Sequence, residues 1–264
     1  MSKLGMADLG IATMNDMRDH AAMIASIDPT VPVIADADTG YGGTCQSNFT
    51  PTTCLQIPGP LMVGRTIAAY INAGVAALHI EDQVVNKRCG HLNNKELVDE
   101  ATFVARVRAA AAMRQQLSRD IVIIARTDAL AGWGYDVALR RLKLAIDVGA
   151  DVAFLEGVRS KDEAWRICHD LKPTPVLFNC VPGGVSPMMS VQEAADCGFK
   201  MVITPTLALG AVHEAVSKVF EDLRKNGNTA GNEVPVRTLF EVCGLNESVE
   251  FDTKAGGQQY ASGV

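Results

Sequence analysis

Apolar residues along this chain gather in short runs that end on a polar side chain, and after each run apolar positions recur at helical spacing. The runs are Val31–Ala35, Gly74–Ile80, Ile121–Ala125, Asp151–Leu155, Pro175–Phe178 and Lys200–Thr204, which predict six strands. Helical stretches cover 62–73, 97–117, 135–148, 160–171, 190–197 and 207–226, several stopping at a small residue, as in Asn72-Ala-Gly74 and Asp196-Cys-Gly198. Strands apolar on both faces that alternate with helices predict an α/β fold with a parallel sheet under helices. Residues 44–59 break the pattern with Pro, Thr and Gln and no apolar period, so they are expected to form an irregular loop, as are 84–95 and the tail from about 227. No internal repeat or second domain is indicated, and one domain over 1–264 is expected.

Two windings of such a sheet compete. Each run is followed at once by polar residues: Asp36 and Asp38, Glu81, Arg126 and Asp128, Glu156, Asn179, Thr204 and Thr206. An open doubly wound sheet concentrates ligand groups at one switch point, whereas a (β/α)8 TIM barrel gathers every strand's C-terminal end into one mouth. Polar tips on every strand favour the barrel. Six runs are two short of eight, so the barrel is expected to lack its N-terminal strands.

Charge and cysteine content narrow the partners. With 24 Lys and Arg against 30 Asp and Glu the net charge is −6, and no basic cluster offers the counter-charge a phosphate backbone needs, so no nucleic acid is expected. The apolar runs are far shorter than the roughly 20 residues that span a bilayer, so no membrane is expected either. The cysteines at 45, 54, 89, 168, 180, 197 and 243 are odd in number and lack paired metal spacing, which suits a reducing, cytoplasmic compartment. No apolar core follows Met1-Ser-Lys3 to suggest a signal peptide.

Some polar residues carry chemistry. Asp36 and Asp38, two apart at a strand end, face the same way if the backbone stays extended, and two like charges so close need a cation or a proton. With Glu81 they form an oxygen-only set suited to Mg²⁺; the other reading is that they cap turns. Asp82 faces the opposite side and suits a structural ion pair. Lys87-Arg-Cys89-Gly90-His91 sets a thiol among cations on a loop that glycine lets bend, a setting expected to lower the thiol's pKa. Arg126 either holds a substrate carboxylate bidentately or pairs with Asp128 or Glu156. Gly183-Gly-Val-Ser186-Pro187 offers amides and a hydroxyl for an anion, or is only a turn.

Together, Asp36-Ala-Asp-Thr-Gly-Tyr-Gly42, Glu81-Asp-Gln-Val-Val-Asn-Lys-Arg-Cys-Gly-His91 and Arg126-Thr-Asp128 resemble the isocitrate lyase/phosphoenolpyruvate mutase superfamily over Leu4 to about Gly257. The cysteine loop is similar to that of the lyase branch, which takes in oxaloacetate hydrolase, methylisocitrate lyase and dimethylmalate lyase types. The resemblance implies Mg²⁺, with Mn²⁺ as a substitute, on Asp36, Asp38 and Glu81, with Asp8 one layer behind them. It implies catalytic roles for Cys89, His91, Lys87 and Arg126, and substrate contacts from Tyr41, Gly90, Arg126, Glu156, Asn179 and Ser186. The activity implied is carbon–carbon cleavage of a small 2-hydroxy or 2-oxo dicarboxylate, of the oxaloacetate or 2-methylmalate type, by a homo-oligomer, a tetramer. Gly210 stands where methylisocitrate lyases carry an arginine for a third carboxylate, which agrees with a dicarboxylate. Phosphonopyruvate chemistry, or an inactive truncated member, is the alternative. Against the family's pattern, residues 44–59 look inserted beside the metal motif, and a retained intron or faulty gene model is the expected origin. The tail over 227–264 reads as a C-terminal extension.

Overall fold

The computed structural model describes residues 3–41, 59–228, 234–260 and 262–263. Strands β1 (Ile34–Asp36), β2 (Ala77–Glu81), β3 (Val122–Thr127), β4 (Val152–Leu155), β5 (Val176–Asn179) and β6 (Met201–Ile203) form one sheet. Their order in space is their order in sequence, and every pairing is parallel. A doubly wound sheet starts in its middle and reverses; this one never does. It is therefore wound as a barrel is, and six strands make a partial one.

The helices are α1 (Met14–Ile27), α2 (Gly59–Asn72), α3 (Glu100–Gln116), α4 (Ala129–Trp133), α5 (Tyr135–Asp147), α6 (Lys161–Asp170), α7 (Val191–Cys197), α8 (Leu207–Asn226), α9 (Val236–Val242) and α10 (Leu245–Lys254). The glycine stops act as expected. Gly74 turns the chain out of α2 at φ +79° and Gly198 ends α7 at φ +109°, where a Cβ would be strained.

Strand alternation divides the packing. Ala35, Leu78, Ile80, Ile123 and Ala125 face the outer side, against Ile67 and Tyr70 of α2 and Phe103 and Val107 of α3. Farther along, Ala153, Leu155, Val176 and Phe178 meet Leu142 of α5, Ile167 of α6 and Ala194 of α7. Each such large side chain contributes about 1.5–3 kcal/mol when fully buried. The inner face has its own apolar floor of Ala77, Ile124, Val152, Phe154 and Leu177. Two residues further along each strand that face turns polar: His79 and then Glu81 after Ala77, Arg126 after Ile124, Asn179 after Leu177.

Several expectations change. Helix α1 was not among the helical stretches predicted, although Thr13-Met-Asn-Asp16 builds a full capping box at its start. The tail was expected to lack regular structure and instead carries α9 and α10. Of the irregular segment 44–59, only Gly59 lies within the described residues, where it opens α2; Cys45 and Cys54 lie outside them. The chain divides into two compact units, Met1–Leu207 and Ala208–Val264. In the second unit α9 packs on α10, and no side chain of α8, α9 or α10 is buried. Among the described residues no helix is long and apolar enough to cross a membrane.

Candidate active site

The polar tips of the inner face converge around β1 and β2. Asp36 ends β1, and its carbonyl accepts hydrogen bonds from the hydroxyls of Tyr41 (3.0 Å) and Tyr70 (2.7 Å). The chain then turns through Asp38, at φ +45°, whose N–H donates to Asp36 Oδ1 at 2.8 Å. Burial, then the neighbouring Asp36 charge, push the Asp38 carboxyl up to about 7. Asp36 is half-buried, and although its desolvation opposes the charge, His79, Lys87 and Arg126 outweigh that and hold it below the usual range. His79, its register partner on β2, sets Nδ1 3.3 Å from Asp36 Oδ1 and lies edge-on to Phe154. This histidine was not singled out in the sequence, although period two from Glu81 puts it on the same face.

Glu81 is wholly buried, and neither of its carboxylate oxygens has a hydrogen bond. Its nearest cation is Arg126, with Nε 3.3 Å from Oε2. Burial pushes the Glu81 carboxyl well up, against the pull of Arg126. Lys87 reaches in from the loop after β2. Its ammonium bridges Asp38 Oδ1 at 2.6 Å and Asp8 Oδ1 at 2.8 Å. Burial opposes its charge, but Asp36, Asp38, Glu81 and Asp8 outweigh burial and keep it a cation. A cavity of about 30 Å³ beside Asp8 and Asp38 has room for a water.

On the next strands Arg126, Glu156 and Asn179 form a second group. Arg126 spends its fork on Asp128, with Nε to Oδ2 at 2.9 Å and Nη2 to Oδ1 at 3.2 Å, while Nη2 also lies 3.4 Å from Glu156 Oε2. The bidentate grip anticipated for a substrate is thus committed to the protein. Nη1 has no hydrogen bond among the described residues. Asn179 donates to Glu156 Oε2 at 3.1 Å, which leaves Glu156 Oε1 and Asn179 Oδ1 buried without partners.

The loop over 84–95 lies across both groups. Gly90 is packed so closely that a Cβ there would sit 2.6 Å from Arg126 Nη2 and 2.7 Å from Glu156 Cδ. Only glycine allows that approach. The Cys89 N–H donates to the Asp8 carbonyl at 3.2 Å. The expected lowering of its thiol pKa is not found, because burial outweighs Arg126 and Lys87 and pushes it up. Burial thus favours the thiol over the thiolate. His91 Nδ1 accepts from the Val185 N–H at 3.3 Å, and its Nε2 lies 3.4 Å from the Asn179 side-chain nitrogen. The Gly183-Gly184 turn is thus the seat of His91, since a Cβ on Gly184 would lie 2.7 Å from the ring. Ser186 is buried next to that seat but, among the described residues, bonds to no other candidate. Lys95, also missed in the sequence, is buried between Gly90 and Asp128.

Asp82 shows the opposite design, facing away from this site as expected. Thr127 Oγ1, the Asp128 N–H and Arg141 Nη1 all donate to it, at 2.6, 2.9 and 2.9 Å.

Residues 2–224 match the family model described as phosphoenolpyruvate phosphomutase. The chain belongs to this family. Within it, the chain is 36% identical to the 2-methylisocitrate lyase of Salmonella typhimurium, over 85% of this chain and 70% of that protein. A crystal structure of 2,3-dimethylmalate lyase, described as a member of the PEP mutase/isocitrate lyase superfamily, superposes with a TM-score of 0.89 at 47% identity, covering 100% of this chain and 82% of that one. Oxaloacetate acetylhydrolase bound to the inhibitor 3,3-difluorooxalacetate follows at 0.87 and 44%, covering 98% and 82%. This phosphomutase-family chain is by that kinship a carbon–carbon lyase, and the resemblance read from its motifs is borne out.

Proposed function

We propose that the chain cleaves the C2–C3 bond of a small 2-hydroxy or 2-oxo dicarboxylate, of the oxaloacetate or 2-methylmalate kind, with Mg²⁺ or Mn²⁺, on what is in full a (β/α)8 barrel. The observation that carries the reading is the cradle around Lys87. Asp8, Asp36, Asp38 and Glu81 all act on one ammonium, and Glu81 still has two buried oxygens without a hydrogen bond. These four carboxylates outnumber the cations Lys87 and Arg126 beside them and offer only oxygen donors, which fits a hard divalent cation. Among the described residues no three His, Cys, Asp or Glu side chains form a ready cage. Mg²⁺ does not need one, since it keeps several waters and is held through one or two carboxylates. Asp36, Asp38 and Glu81 would hold it, with Asp8 beyond them, and when bound the ion would stabilise charge developing on the oxo-acid oxygens.

The chain's own residues supply the rest. Arg126 Nη1 and Asn179 receive substrate carboxylate or hydroxyl, and the free Glu156 Oε1 accepts the C2 hydroxyl proton of the 2-hydroxy acid, or of the hydrate that one water forms at C2 of a 2-oxo acid before the loop closes, as the C2–C3 bond breaks. Cys89, held protonated, gives its proton to the carbon that leaves with the electron pair. Gly90, packed on Arg126 and Glu156, excludes water from that carbanion. Assembly as a homo-oligomer, in the cytoplasm, completes the reading. Val212, Val216, Val219, Phe220 and Leu223 are exposed along one side of α8, which supports an oligomer. The test is purified protein with Mg²⁺ assayed on oxaloacetate, 2-methylmalates and phosphonopyruvate. Turnover of one of the first two is expected. A folded protein silent on all, or active only on phosphonopyruvate, would overturn the proposal.

A further inference from the structure

The loop over 84–95 meets the body mainly through residues that the proposed chemistry already uses; outside that chemistry stand the buried Gln83 side chain, bonded to the Arg88 backbone at 2.9 and 3.0 Å, and Lys95. Lys87 reaches Asp8 and Asp38, Gly90 rests on Arg126 and Glu156, and His91 sits between Val185 and Asn179. The Gln83 side chain bonds only to backbone, whereas Lys95, at the rear of the loop, reaches a charged side chain of the body. Its side chain is 6% exposed, and its ammonium donates to the Gly90 carbonyl at 2.6 Å and to Asp128 Oδ1 at 2.7 Å. It touches none of the residues assigned to metal or substrate apart from that backbone oxygen.

We infer that Lys95 is the latch that holds this loop shut and couples its closure to the setting of Arg126. Asp128 is the shared catch. Its carboxylate is fully buried, and the same Oδ1 that receives Lys95 also receives Arg126 Nη2 at 3.2 Å. With the loop down, two cations share one buried carboxylate and the Gly90 carbonyl has a donor. With the loop lifted, Lys95 returns to water, the Gly90 carbonyl loses that donor, and Arg126 alone must neutralise Asp128. The attraction in a buried ion pair is largely offset by the cost of desolvating it. A latch of this kind can therefore release, as a gate for substrate and product must. Lys95 is a positioning residue, acting through Gly90 and Asp128.

The inference rests on the lyase reading for its purpose but not for its test, because closure can be read without turnover. The full chain is made as Lys95→Met and Lys95→Arg, and alkylation of Cys89 by iodoacetamide is followed by mass spectrometry, with exposed Cys243 as internal reference. The methionine variant is expected to label Cys89 about tenfold faster, and the arginine variant within about threefold of the parent. General loosening would speed buried Cys168 and Cys180 as well; the latch predicts that they stay slow. If the lyase reading holds, the methionine variant also loses about tenfold in kcat with KM within about threefold. On the unaltered protein, acetylation of Lys95 should lag behind that of exposed Lys225 and accelerate in step with Cys89 alkylation as urea is raised below the unfolding transition. Unchanged Cys89 labelling in a folded Lys95→Met protein, or Lys95 acetylated as fast as Lys225, overturns the latch. Labelling as expected without turnover of any dicarboxylate keeps the latch and removes the proposed chemistry.

Discussion

Glu81, the last residue of β2, and Asp82, the residue after it, are both buried and both acidic, and they point to opposite sides. Asp82 lies under the helices, where a hydroxyl, a backbone N–H and the Arg141 guanidinium satisfy it. Glu81 lies over the inner floor with no hydrogen bond to either oxygen and Arg126 as its nearest cation. An unpaired buried carboxylate is expensive, so a fold selected only for stability would treat the two alike. On the function proposed, the difference separates a residue that holds the chain together from one kept available for something the chain binds.

That contrast yields a ladder of tests. Glu81→Gln should lower kcat/KM about a thousandfold while leaving Tm unchanged or raised, since it removes a buried carboxylate that no hydrogen bond satisfies. Equal loss of stability and activity would erase the distinction. Asp82→Ala should cost about 3–5 kcal/mol in chemical denaturation, because Arg141 is left buried without its partner; a loss below about 1 kcal/mol would refute its structural role. Gly90→Ala carries the contrast to the loop. The added Cβ would displace Arg126 or Glu156, so a fall of about tenfold to a hundredfold in kcat/KM is expected, with Tm nearly constant. The smallest effect belongs to a surface acid with no site to serve. Glu193 is hydrogen-bonded by Lys161 and by the Ser190 N–H, which hold its carboxyl down to about 2. Because the folded value lies below the ordinary 4.5, its stabilisation is complete above pH 4.5 and fades as pH falls toward about 2. The Tm gap between the parent and Glu193→Gln should therefore close over that interval, with activity at neutral pH unaffected.

The six strands were legible because each is a short apolar run that stops at a polar residue, and α8 was predicted with the bounds it has, Leu207–Asn226. Helix α1 escaped because attention to apolar period passes over a capping box. Helices α9 and α10 escaped because Val236, Leu239 and Phe240 read as one short apolar stretch in a polar, Gly-rich tail and not as a helical stripe. In the site, period two put Asp36 and Glu81 at neighbouring strand ends, but the chain turns at Asp38, at φ +45°, where the sequence reading assumed extended backbone. Period two could not show that Lys87 would bridge Asp8 and Asp38, or that Lys95 would reach Asp128, since those pairings close over long stretches of chain. The rise of the Cys89 pKa was hidden for a related reason: neighbouring cations can be read in a sequence, but burial cannot.

The unbroken strand order has a consequence for how the molecule comes into being. Every strand pairs with the one made just before it, so none must be threaded between two already in place. A ribosome releasing this chain can add one strand and its covering helix at a time onto a growing edge, and contacts so close in sequence favour rapid docking. The mouth is then the last thing completed, since its charged tips come together only as the final strands are laid down.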